Sequence, residues 1–445
     1  MILHEAETMS KDRMEEIQLT RLQETVKRVY ENVPFYREKF EELDLLPESI
    51  TSLADLKRLP FTKKTDLREH YPFGLTAVDQ GEIVRIHASS GTSGKPTVVC
   101  YTKKDIDMWA DLVARSISIA GGNRGEVFHN AYGYGLFTGG LGLHYGAERL
   151  GMATVPVSGG NTERQIGLIE DFKPSVIAGT PSYILNIIER METLGLDPAD
   201  TSLQYGVFGA EPWSEEMRKT LEDKLGIKAC DIYGLSEVMG PGISMECHEA
   251  QDGLHIADDH FLVEVIDPNT LEPVPDGEVG ELVFTSLTKE ALPIIRYRTG
   301  DLSAIKRETC LCGRTTTKMA RIKGRIDDML IIRGVNVFPS EIEHHLLRIT
   351  ELSPYYQVHL HKNGVLDELA LHVEVSETFF QTVGGDLHHP QINRLAKDVY
   401  QSMKNNCLVA MAVQILPPRS IPRSEGKAIR VIDKRSEIIQ LETQG

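Results

Sequence analysis

The sequence has no long apolar run. Nowhere do about 18 uncharged apolar residues follow one another, the length a helix needs to cross a membrane. The opening residues, MILHEAETMSKDR, lack the uninterrupted apolar stretch of a secretory leader. Cysteine is scarce, six in 445 residues and unevenly placed, which argues against a disulfide framework and for a reducing compartment. Basic residues are outnumbered, 48 Lys and Arg against 65 Asp and Glu, for a net charge of -17. A chain this acidic has no electrostatic footprint for nucleic acid or an anionic membrane. Internal repeats and low-complexity segments are absent as well. These absences together lead to the expectation of a cytoplasmic protein.

What is present is enough material for more than one core, since 445 residues exceed an ordinary single domain. Near the N-terminus Leu22, Val26, Val29 and Tyr30 recur on one helical face until Pro34 interrupts it. From about residue 150 strands and helices alternate. Strands are expected at 154–157, 175–178, 204–208 and 228–233. The helices between them carry Ile166, Ile169 and Phe172 (capped by Asn161), then Ile184, Ile187, Ile188 and Met191, then Met217, Leu221 and Leu225 (capped by Ser214). Such alternation implies a parallel sheet with helices on its faces. After residue 255 the pattern turns β-rich, with strands at 261–266 and 281–285 and a turn at Asp276-Gly277. The last 120 residues or so read as an α+β unit: strands at 329–332, near Val358 and Leu371, and at 413–416, with helices at 339–347 and 395–403. The fold class expected is α/β. A large N-terminal domain of parallel-rich sheets and helices, with a β-rich subdomain, spans 1–326; a small mobile α+β domain spans 327–445.

Four segments carry chemistry. Ser89, Ser90, Gly91, Thr92, Ser93 and Gly94, followed by Lys95, Pro96 and Thr97, crowd hydroxyls and glycines into a loop suited to wrapping phosphate oxygens. A Walker A loop is excluded, because Ser89 stands where its first Gly belongs and Pro96 follows the lysine. Tyr233-Gly234-Leu235-Ser236-Glu237 follows a strand at its C-terminal end, where ligands of open α/β sheets collect. There a ring can stack on a base, a hydroxyl can reach phosphate and a carboxylate can hold Mg2+. Asp301, on a turn after Gly300, could accept both hydroxyls of a ribose. Lys427 ends a proline-bounded loop, Pro422-Arg423-Ser424-Glu425-Gly426-Lys427. Each alone has a plain alternative: a packed tyrosine, a turn aspartate, a solvated lysine.

In this order the motifs resemble the adenylate-forming superfamily of acyl-CoA synthetases, adenylation domains and luciferases, over nearly the whole chain. Gly209-Ala210-Glu211-Pro212 is similar to its adenine-binding turn, and Gly324 to Asp328 to the segment joining its two domains. Within it, Asn32 to Tyr36, Tyr132 to Gly140 and Asp328 to Pro339 resemble the phenylacetate–CoA ligases.

The resemblance implies an AMP-forming acid–thiol ligase that makes phenylacetyl-CoA, or a close aryl-acetyl-CoA, from the acid, ATP and CoA. It implies that residues 89–94 hold the β- and γ-phosphates, with Gly209, Ala210, Glu211, Pro212, Asp231, Tyr233, Gly234, Ser236, Asp301 and Arg325 around the rest of the nucleotide. Ser236, where the superfamily commonly has threonine, would contact the α-phosphate, Glu237 would bind Mg2+, and Lys427 would bridge carboxylate and α-phosphate. Asp327 matches the hinge and Gly334 the CoA channel. Tyr132, Phe137, Ala210 and Pro241 would form the aryl slot, which indoleacetate, hydroxyphenylacetate or benzoate would also approach. A homodimer is the family-level expectation.

Cys310-x-Cys312 lies downstream of Cys247 and His255, and two thiolates plus a further Cys and a His complete a tetrahedral zinc site. His248 is the rival imidazole, and reduced cysteines without metal are the alternative. Two rival functions stay open: loading an aryl acid onto a separate carrier protein, and a zinc-containing scaffold without catalysis.

Overall fold

The computed structural model describes residues 1–89, 96–332, 335–363 and 366–435. Its centre is a nine-stranded sheet. Five strands run parallel in the order Ala153–Val155, Val127–Asn130, Val176–Gly179, Tyr205–Gly209 and Lys228–Leu235. The next strand, Gly240–Glu246, reverses direction and pairs antiparallel with Lys228–Leu235 and with Leu254–Ile256. The helices expected between the parallel strands form as Thr162–Phe172, Pro181–Thr193 and Glu215–Leu225. Caps set their starts: Arg164 N–H donates to Asn161, and Met217 N–H to the Ser214 hydroxyl at 3.2 Å. Ile166, Ile169, Met217, Leu221 and Leu225 are buried as their spacing predicts. Phe172 is not, being 51% exposed. Steps of three residues lag the 3.6-residue turn by roughly 60° each, which carries Phe172 to the edge of the apolar stripe.

At the N-terminus Leu22, Val26 and Val29 are fully buried on the helix Lys11–Asn32. Pro34 ends that helix and starts another, Pro34–Glu42, in the first turn, where an N–H has no partner within the helix to lose. A β-hairpin, Ile83–Ser89 with Thr97–Thr102, flanks the Ser/Gly motif; residues 90–95 of that motif lie outside the described residues, as does Gly334. The β-rich region is a four-stranded sheet of Phe261–Ile266, Gly280–Ser286, Tyr297–Ser303 and Gly324–Arg325.

A second apolar core runs from Leu330 to Met411 under a sheet ordered Ala412–Leu416, Leu366–Val375, Leu352–Asn363 and Val431–Asp433. The helices Pro339–Leu346 and Pro390–Asn406 cover it. Tyr355 and Ile421 of this unit pack with Ile184 and Trp213 of the large one, so the two parts touch through apolar as well as polar groups. Among the described residues no helix is long and apolar enough to cross a membrane.

Candidate active site

The two central parallel strands end at Gly209 and Leu235, beside the point where the sheet turns antiparallel. A cavity of about 930 Å3 opens there, and Lys427 and Ala428 of the small unit form part of its wall. The backbone at its floor is tight. A Cβ on Gly209 would stand 2.2 Å from the Ile232 carbonyl, and one on Gly234 2.0 Å from that of Gly240. Ala210 is held at a left-handed φ of 68°, a strained value for a residue with a Cβ. Gly209 itself is not on the cavity wall; Ala210, Glu211 and Pro212 are.

The sequence-predicted residues converge. Ser89, Tyr132, Phe137, Asp231, Tyr233, Gly234, Ser236, Glu237, Pro241, Asp301, Arg325, Asp327 and Lys427 all line this one cavity. They come from six separate stretches of chain. Asp301 is buried and held on both oxygens: the Tyr233 hydroxyl donates to one at 2.7 Å and Arg325 to the other at 2.6 Å. Burial raises its pKa, against the pull of Arg325 and Tyr233. The Ser236 hydroxyl lies 2.9 Å from that of Thr138, and the Glu237 carboxylate 3.6 Å from the Lys64 ammonium. Burial, helped by Glu246, pushes Asp231 up to about 7. Glu211 accepts from the Ser182 N–H at 2.7 Å and from the Ala428 N–H at 2.9 Å, so its carboxylate ties the cavity wall to the lysine loop.

The Lys427 side chain is exposed to the cavity, and its ammonium lies 5.7 Å from the centre of the Phe137 ring. Protein around that end draws its pKa below the usual lysine value; Glu211, Asp301 and Glu237 pull the other way. A cation thus faces the aromatic slot and the acidic groups together.

Sequence reasoning gave no role to Lys64, Thr138, Trp213 or Arg321, which line the same cavity. The Arg321 guanidinium lies 4.4 Å over the Trp213 ring. Thr138 sits inside a segment already singled out, and Trp213 directly follows Pro212; adjacency to those motifs was the available signal.

Outside the lining of the cavity, Cys247, His255, Cys310 and Cys312 place one donor atom each within 4.8 Å of one another. The Cys247 and Cys310 sulfurs are 3.8 Å apart, and Cys312 sulfur is 3.4 Å from His255 Nε2. Zn–S bonds of about 2.3 Å at tetrahedral angles give S–S edges of about 3.8 Å, so the donor set fits that ion. His255 Nδ1 lies 3.1 Å from the Thr316 hydroxyl, which orients Nε2 toward the thiols. His248 instead turns its Nδ1 to the Ile119 carbonyl at 3.2 Å and stands outside the group.

A family profile described as AMP-binding enzyme matches residues 5–288, and one described as AMP-binding enzyme C-terminal domain matches residues 334–435. A phenylacetate-coenzyme A ligase of Thermus thermophilus is 53% identical over 97% of this chain and 99% of its own. One of Escherichia coli is 53% identical over 97% of each chain. Among solved structures, a 2-hydroxyisobutyryl-CoA ligase in its postadenylation state, with 2-HIB-AMP bound, is 31% identical and superposes at a TM-score of 0.91 over 99% of this chain and 93% of its own. The same ligase in its thioesterification state, with 2-HIB-AMP and CoA, superposes at 0.71 over the same shares.

Proposed function

Because the chain belongs to the AMP-binding enzyme family and shares about half its residues, end to end, with phenylacetate-coenzyme A ligases, we propose that it joins phenylacetate to coenzyme A using ATP. The chain is an ATP-dependent acid–thiol ligase that works through an acyl-adenylate. The observation that carries the phenylacetate reading is the meeting of Lys427 with Phe137 and Tyr132 in the cavity that also holds Asp301 and Glu237.

In the first step a carboxylate oxygen attacks the α-phosphorus of ATP, the bond to the β-phosphate oxygen breaks, and pyrophosphate leaves. Negative charge collects on the phosphate oxygens, so the step needs positioning and a cation. Lys427, reaching in from the loop docked by Glu211, supplies that cation to carboxylate and α-phosphate. Ser236, steadied by Thr138, donates to the α-phosphate. Asp301 has lone pairs left beyond those used by Tyr233 and Arg325 and takes the ribose hydroxyls. Tyr233 stacks on the adenine and Asp231, beneath it, accepts from its amino group. The resemblance assigns the outer phosphates to residues 89–94, of which only Ser89 is among the described residues. Glu237, buried beside Lys64, would hold Mg2+, which neutralises phosphate charge. The phenyl ring lies flat among Tyr132, Phe137, Ala210 and Pro241.

In the second step the CoA thiol loses its proton, its sulfur attacks the acyl carbon, the C–O bond to phosphate breaks, and AMP leaves. We take 327–445 as the turning unit, with Asp327, 70% exposed beside Arg325, as its hinge; the resemblance assigns Gly334 to the CoA channel. The Cys247, His255, Cys310, Cys312 group would hold a structural zinc, and none of its four residues takes part in the steps above. Soluble substrates suit a cytoplasmic enzyme, and a homodimer is what the family resemblance suggests.

The reading is tested by phenylacetate-dependent exchange of labelled pyrophosphate into ATP in the absence of CoA. Exchange with phenylacetate above that with benzoate or indoleacetate supports it; exchange with no aryl acid defeats it.

A further inference from the structure

The loop that ends in Lys427 is pinned at Arg423, four residues earlier, by an arrangement that uses one guanidinium for two carboxylates. Arg423 donates to Glu374 of the small unit at 2.8 and 3.0 Å, and to Glu189, on the helix Pro181–Thr193 of the large unit, at 2.6 and 2.7 Å. Its plane lies 3.4 Å over the Tyr355 ring. Glu374 is fully buried and also accepts from the Arg419 and Ile421 N–H groups, so it shapes the loop from within the small unit. Glu189 belongs to the other body. If the small unit turns, Arg423 and Glu374 travel together and Glu189 stays behind.

The same helix supports the rest of the loop. At its N-terminal end the Thr180 hydroxyl donates to the Gly426 carbonyl at 2.8 Å, and Asn186 donates to that of Ser424 at 3.3 Å. A second charged contact between the units lies at Glu216, which faces His344 at 2.7 Å and accepts from Arg348 at 3.0 Å. In both contacts the carboxylate is on the large unit and the cation on the small one. The superposition at 0.91 on a postadenylation state, against 0.71 on the thioesterification state of the same ligase, identifies the arrangement these contacts hold.

We propose that Glu189 is a positioning residue for the acid-activating half-reaction: its bidentate pair with Arg423 latches the small unit in the arrangement that delivers Lys427, and its release sets how readily the enzyme passes to thioester formation. The proposal rests on the acyl-adenylate reading above. Charged, two-pronged and only partly exposed (17% for Arg423, 29% for Glu189), the pair is of the strong kind and is screened only in part by salt. No substrate or nucleotide touches Glu189 in the scheme, so its effect must come through where the loop sits.

Glu189→Gln keeps the side chain's shape and removes its charge. It should slow phenylacetate-dependent pyrophosphate exchange about tenfold or more, as losing one charged hydrogen-bonded pair does. Thioester formation from supplied phenylacetyl-adenylate should stay within about twofold of the parent, since that step does not use the latched arrangement. Amide hydrogen exchange across residues 421–428, measured without substrates, should accelerate in the variant. Equal loss of both half-reactions, or no loss in either, overturns the proposal, as does unchanged amide exchange. A parent protein that fails to exchange pyrophosphate with any acid defeats the acyl-adenylate reading instead; the amide measurement then still decides whether Glu189 holds the loop.

Discussion

Asp301 is held from both sides, by the Tyr233 hydroxyl at 2.7 Å and the Arg325 guanidinium at 2.6 Å, so the carboxylate assigned to the ribose cannot turn away from it. Tyr233→Phe removes one of these bonds and leaves a ring to stack on adenine. ATP binding, measured by calorimetry without acid, should weaken by about 1–2 kcal/mol, roughly 5- to 30-fold in Kd. Unchanged affinity would remove Asp301 from the nucleotide site.

Lys427 is needed as a cation, and its surroundings lower its pKa from the usual 10.5. A lowered pKa means the charge is complete at low pH and is lost earlier than for an ordinary lysine as pH rises. The pyrophosphate-exchange rate should therefore fall on the alkaline side with a midpoint below 10.5. Lys427→Ala should abolish exchange at every pH while leaving thioester formation from supplied phenylacetyl-adenylate largely intact. Equal loss in both assays would show that Lys427 is not specific to the first step.

The site's main elements were legible in the sequence because each motif is short and its chemistry is local, although Asp301, expected on a turn, lies within the strand Tyr297–Ser303. Strand–helix alternation placed Gly209 and Tyr233 at the ends of neighbouring strands, and both lie there. What could not be read were partners far apart in the chain. Arg423 and Glu189 are 234 residues apart, and Ser236 and Thr138 are 98 apart; no periodicity records such pairs. Phe172 shows the opposite limit, a spacing of threes that looked buried until the helix's true turn carried it outward. The choice between His255 and His248 was also closed to the sequence, because both follow Cys247 and only the strand Leu254–Ile256 brings one of them to the thiols.

The four-residue Cys/His group should carry about one equivalent of zinc in the purified protein. Cys312→Ser should lose it and lower the thermal midpoint by at least about 5 °C. Less than about half an equivalent in the parent would mean reduced thiols without metal.

Phe137 lines the cavity with the Lys427 ammonium 5.7 Å from its ring centre, so trimming it should widen the aryl slot. In Phe137→Ala the ratio of kcat/KM for phenylacetate over indoleacetate should fall by about tenfold or more, the range expected for lost apolar contacts. An unchanged ratio would place the ring of the acid elsewhere.

The most direct test is product analysis of the purified protein with ATP, Mg2+ and a panel of aryl acids, with and without CoA. The expected result is phenylacetyl-CoA formed faster than any other thioester, with AMP and pyrophosphate in equal amounts. AMP and pyrophosphate without any thioester, or no acid-dependent cleavage of ATP, would contradict the account.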